Sequence, residues 1–92
     1  MNYKIIYEKR FFDDSKEIIE FIKKDKPQSA AKFKKDLKNK IENLSYFPFK
    51  YRKSIYFDDE SIRDLIFKGY IIPYKITDTQ IIILGITKYK PF

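Results

Sequence analysis

The sequence contains no cysteine and no histidine in its 92 residues. Without cysteine there is no disulfide, and thiol usage says nothing about compartment. Without either residue, neither thiolate nor imidazole can hold a metal. A carboxylate-only site, of the kind that suits Mg²⁺ or Ca²⁺, is all that the chemistry leaves. A histidine general base and a Ser-His-Asp triad are excluded on the same ground. No stretch approaches the roughly 18 apolar residues that a membrane span needs. The residues after Met1 do not read as a secretion signal, because Glu8, Lys9 and Arg10 break the first apolar run. A cytoplasmic protein without a cofactor is expected.

Tryptophan is also absent, yet eight Tyr and nine Phe make the chain strongly aromatic. Large rings let a short chain fill a core with few residues. Its length suits a single domain over 1–92, whose modest burial leaves room for a bound partner to add stability. The formal charge of +7 favours acidic protein partners or nucleic acid, although a lysine-rich surface can also serve solubility alone.

Residues 3–7 form a strand candidate, ended by Glu8, Lys9 and Arg10. Asp13, Asp14 and Ser15 can each cap a helix. Phe11, Ser15, Ile18 and Ile22 then recur at helical spacing, with charged residues facing away. Pro27 disfavours helical geometry at Lys26 and suits the start of a second helix. Along that helix Ala30, Phe33, Leu37, Ile41 and Leu44 make an apolar stripe, and the lysines lie off it. The short connector implies an antiparallel helical hairpin. Residues 45–49 read as a loop and residues 52–57 as a strand, followed by a solvated Asp58-Asp59-Glu60 turn. From Ser61 onward, dense β-branched and aromatic residues separated by turn signals read as consecutive antiparallel strands. Lys68-Gly69 turns the chain, and Tyr70, Ile72, Tyr74 and Ile76 share one strand face. Pro73 within that strand implies an edge or a bulge. The unbroken apolar run 81–84 implies a central strand. The fold class is α+β: an N-terminal strand, an antiparallel two-helix hairpin, then three to four antiparallel strands.

In this order and spacing the chain resembles the RelE/ParE superfamily of toxins from type II toxin–antitoxin pairs. The resemblance rests on the helix segment 12–22, on Pro27 to Phe33, on Leu44 with Pro48, and on Ile62-Arg63-Asp64-Leu65 followed by Gly69 to Ile76 and 81–84. It implies the toxin of a growth-arresting, plasmid-stabilising pair. Its partner would be a cognate antitoxin, acidic and partly disordered when free, bound in a hetero-oligomer. RelE-like members cut messenger RNA on the ribosome, whereas ParE-like members are described as poisoning DNA gyrase without being hydrolases.

RelE-type cleavage needs cations around the scissile phosphate and groups that move protons at the ribose oxygens. The residue after Gly-Tyr, commonly Arg in that branch, is Ile71 here. The strand before the glycine offers Ile62, Asp64 and Ile66 on one face where the ribonucleases carry lysines, and Asp64 would repel a phosphate. The resemblance therefore favours the ParE-like branch, with DNA gyrase as target. Arg63 matches an arginine that ParE-like chains often have. Lys88, Tyr89 and Lys90 form a basic–aromatic tail that could stack on a base and meet phosphates. These four make the expected target-binding set. A ribosome-dependent endonuclease acting on mRNA would instead draw on Arg52, Lys53, Arg63, Lys88, Tyr89 and Lys90. A third possibility is an inactive member that only binds antitoxin. Structural readings stand beside these: an Arg63–Asp64 ion pair, a solvated tail, Tyr70 and Tyr74 in the core, and helix-two lysines that are simply hydrated.

Overall fold

Pro27 divides the helical half of the chain. In the computed structural model, which describes residues 3–89, α1 runs Lys9–Asp25 and α2 runs Pro27–Glu42. Between them Lys26 is extended, at φ −140, because the following proline ring crowds a helical geometry there. The stripe Ala30, Phe33, Leu37, Ile41 and Leu44 is buried throughout, its last member lying in a 3₁₀ turn, Asn43–Ser45.

Helix α1 begins earlier than Asp13-Asp14-Ser15, which lie inside it rather than at its cap. Glu8 occupies the N-cap without a side-chain bond. Asp13 and Asp14 instead pair with Lys9 and Arg10 one turn back, at 2.9 and 3.6 Å. Exposed pairs of this kind contribute only a few tenths of a kcal/mol, about 0.3–0.5 each. The deciding contact is Phe11, buried with its ring 5.3 Å from that of Tyr7, which draws the first turn onto the sheet.

The strands are β1 (Lys4–Tyr7), β2 (Ile62–Phe67), β3 (Tyr70–Ile76), β4 (Gln80–Ile83) and β5 (Thr87–Lys88). They lie in the order β1-β4-β3-β2, with β5 also against β3. β2, β3 and β4 are antiparallel neighbours, and β1 adds to β4 in parallel, so the sheet is mixed. β4 is flanked on both sides, as its apolar run implies, and Ile81 and Ile83 are fully buried. The helices cover the face that carries Leu65, Phe67, Ile72, Tyr74, Ile76, Ile81 and Ile83, and these form one core with Phe11, Phe33, Leu37 and Ile41.

Residues 52–57 make no strand. They touch β2 through a single bridge between Lys53 and Arg63. The carboxylate of Asp64 takes the Ile55 N–H, and the Ser54 hydroxyl takes the Tyr56 N–H, so side chains divert the donors that a ladder would use. Pro73 sits inside β3, opposite Asp64 on one side and beside a bulge on the other, where residues 72–73 face the three residues 84–86 between the Tyr74–Ile83 and Ile71–Thr87 pairs. Its carbonyl accepts the Leu84 N–H at 2.9 Å, and a residue's N and C=O point the same way across a strand. The donor that proline lacks therefore faces the gap between β4 and β5, where the neighbouring backbone leaves the ladder.

Lys68 and Gly69 turn β2 into β3 with φ of 46 and 82, the paired left-handed geometry of a tight hairpin. Among the described residues, its two chain neighbours aside, no atom lies within 4 Å of where a Cβ on Gly69 would sit, so backbone conformation sets the cost of a side chain there. Gly69→Ala is expected to lower stability by about 1–2 kcal/mol, read as a lower urea midpoint at unchanged slope. An unchanged midpoint would contradict the turn geometry.

Candidate functional site

The start of β2 gathers Arg52, Lys53 and Arg63, and each cation is already engaged. The Arg63 guanidinium donates to the carbonyls of Tyr51 (3.2 Å) and Glu60 (3.3 Å), and its central carbon lies 5.2 Å from the Phe49 ring centre. An Arg52 nitrogen is 3.8 Å from Asp64 Oδ2, so the arginine beside Asp64 is Arg52 and not its sequence neighbour. Lys53 Nζ lies 3.2 Å from Asp58 and 3.7 Å from Glu60. The hydrogen bond to Asp58, then the charge of Glu60, holds this ammonium above the ordinary lysine value.

Asp64 is fully buried beneath residues 52–57 and does not face a solvent phosphate. Its Oδ2 accepts the Ile55 N–H at 3.0 Å, while Oδ1 has no hydrogen-bond partner among the described residues. Tyr74 is likewise fully buried, and its hydroxyl donates to the Pro48 carbonyl at 2.6 Å. Burial, reinforced by nearby Tyr51, pushes this phenol far above the ordinary tyrosine range. Arg63, Asp64 and Tyr74 thus fasten the segment 48–55 across the end of the β2–β3 hairpin.

What that segment displays was not anticipated from the sequence, which gave 45–49 only as a loop. Tyr46, Phe47 and Phe49 are 69%, 71% and 56% exposed. The available signal was a run from Asn43 to Lys53 with four aromatic residues, three cations and no acid.

Lys88 and Tyr89 lie elsewhere. Lys88 on β5 stands opposite Tyr70, Tyr89 donates its N–H to the Gly69 carbonyl at 2.8 Å, and both side chains are exposed. Lys90 is outside the described residues. Arg63 pairs with Tyr74 and Lys88 with Tyr70, four residues apart on β3, which is about 13 Å of strand. Among the described residues, Arg52, Lys53 and Arg63 therefore stand apart from Lys88 and Tyr89 and form no single cluster with them. The groove between α1 and β5 beside Lys88 carries Arg10, Lys16 and Lys24, but also Asp14, Glu17 and Glu20. A third feature is an apolar cleft of about 220 Å³, lined by Phe11, Phe12, Ile19, Leu37 and Ile41 of the helical hairpin, with Lys34 and Lys38 beside them.

Among the described residues no group of three acidic side chains is arranged to hold a metal, and no helix is long and apolar enough to cross a membrane. Residues 5–89 match the family model described as ParE toxin of the type II toxin–antitoxin system, parDE, so the chain belongs to that family. A solved structure described as the chromosomal ParDE TA system from P. aeruginosa is similar in fold. Its TM-score is 0.79 at 15% identity, covering 96% of this chain and 97% of that one. None of the curated proteins compared matches the chain in sequence.

Tyr74→Phe should cost about 1–2 kcal/mol, because it strands a buried carbonyl, and should be read in urea or thermal unfolding. A phenol whose folded value is raised above 10.0 stabilises fully below that pH and loses its contribution as pH climbs past it. The wild type should accordingly lose stability above pH 10.0, with a shallower fall in Tyr74→Phe. Identical alkaline profiles would contradict the burial of this hydroxyl.

Proposed function

We propose that this chain acts on DNA gyrase and that a cognate acidic antitoxin neutralises it. The observation that carries this reading is the commitment of Arg52 to buried Asp64 and of Arg63 to backbone carbonyls, with Lys53 paired to surface Asp58 and Glu60. Cations that a ribonuclease would aim at a phosphate are spent on holding a loop. A toxin that works by binding, and leaves bond-breaking to its target, needs no such set.

Target contact falls to the exposed Lys88 and Tyr89, with Lys90 next in sequence. Arg63, the fourth member of the expected set, contributes by keeping the other end of the hairpin fixed. The antitoxin lays an extended segment along the helical hairpin and sheet, folding as it binds. The apolar cleft between α1 and α2 supports this placement, since Lys34 and Lys38 beside it suit carboxylates and the half-exposed Phe12 suits apolar side chains. The net charge of +7 complements an acidic partner, and a gyrase target requires the cytoplasm.

Induced expression without antitoxin should arrest growth, and the purified chain should block supercoiling and accumulate cleaved gyrase–DNA complexes. The double variant Lys88→Gln, Tyr89→Ala should weaken that inhibition at least about tenfold, the loss of one charged and one stacking contact. Codon-aligned cuts in mRNA on translating ribosomes, with supercoiling untouched, would overturn the gyrase reading in favour of a ribosome-dependent endonuclease. Antitoxin binding without growth arrest would instead identify an inactive binding member.

A further inference from the structure

The exposed rings of residues 46–49 have no role in the reading above, and their surroundings define a ligand. Two adjoining hollows share Tyr46, Phe47 and Lys50. The first, of about 270 Å³, adds Lys40, Leu44 and Tyr51, and the second adds Pro48 and Phe49. Among the described residues no carboxylate lines either one.

Apolar rings in water are costly to keep exposed, at about 25 cal/mol per Å². Here the backbone nevertheless holds them outward. Tyr74 grips the Pro48 carbonyl, Arg63 grips that of Tyr51, and the Lys50 N–H closes a turn onto Phe47 O at 3.2 Å. The Arg63 guanidinium covers one side of Phe49, yet that ring remains more than half exposed. A rigid row of rings between ammonium groups that have no carboxylate partner among the described residues, Lys50 lying 5.6 Å from the Tyr51 ring centre, resists a second copy of the same chain, because like charges would meet at the contact. It suits a flexible polyanion with flat apolar groups.

We infer that Tyr46, Phe47 and Phe49, with Lys40 and Lys50, form a stacking platform for single-stranded DNA. Unpaired bases lie on the rings while the two ammonium groups meet the phosphates, an arrangement that tolerates any sequence. Duplex DNA keeps its base faces stacked and cannot use the rings. The Ser45 hydroxyl donates to the Glu42 carbonyl at 3.0 Å, so its proton is not offered to a ribose 2′-hydroxyl. The surface stands apart from Lys88 and Tyr89 and does not depend on gyrase being the target.

The test is fluorescence anisotropy with labelled dT15, beside a duplex of equal length, rU15 and a glutamate-rich peptide. Binding of dT15 should exceed that of the duplex and weaken as salt rises. Phe47→Ala should reduce affinity about 5–150-fold, the range that one stacked base contributes. Lys40→Gln with Lys50→Gln should flatten the salt dependence by about two phosphate contacts. Phe21→Ala, which removes an equally exposed ring from α1, should change nothing. All four positions are on the surface, and unchanged thermal midpoints separate loss of binding from loss of fold. Equal affinities of wild type and Phe47→Ala would overturn the platform. Tighter binding of rU15 would overturn the choice of DNA, and binding of the acidic peptide with none of dT15 would make the surface a protein-docking site.

Discussion

The hydroxyl of Tyr74 on the carbonyl of Pro48 is the contact on which the shape of the non-helical half depends. Tyr74 belongs to the core by its ring and to the loop by its oxygen, so it transmits the rigidity of β3 to a segment with no ladder of its own. Its partner across the strands, Arg63, adds two more carbonyl contacts, and Asp64, next along β2, takes the Ile55 N–H. Three neighbouring side chains on one hairpin thus hold the backbone from Pro48 to Ile55.

That arrangement changes what the cations mean. Exposed ion pairs are worth little, about 0–1 kcal/mol, and those of Lys53 with Asp58 and Glu60 are of that kind. Arg52 and Asp64 differ, because a fully buried carboxylate left without its partners costs several kcal/mol, about 3–5. The positive charge that composition attributes to partner binding is therefore of two sorts. Part of it fastens the loop, and part stands on Lys34, Lys40, Lys50 and Lys88, which have no carboxylate partner among the described residues. Only the second sort is available to a partner.

Most of the architecture could be read from the chain. Pro27 ended one helix and opened the next because its constraint on Lys26 is local. The stripe of α2 and the apolar run of β4 were legible because burial imposes its period directly on residue type. The misreadings share a cause, which is competition between local and distant partners. Asp13, Asp14 and Ser15 look like caps, but Phe11 packs on Tyr7 and draws the helix start back past them. Residues 52–57 have strand composition, yet Asp64 and Ser54 take their backbone donors. Pro73 is no misreading: a proline inside a strand implies an edge or a bulge, and the ladder bulges beside it. For the site, Arg63 was recognisable as special, while its carbonyl partners were not. The aromatic row at 46–49 was visible in composition, but its exposure follows from tethers more than ten residues away.

Amide hydrogen exchange at Ile55 tests the central claim most directly. If buried Asp64 fastens the loop, this amide should exchange as slowly as those of the core strands, through global unfolding, and should become fast in Asp64→Ala while β4 stays protected. Rapid exchange at Ile55 in the wild type would contradict the account and return Arg52, Lys53 and Arg63 to the set of cations free to act on a ligand.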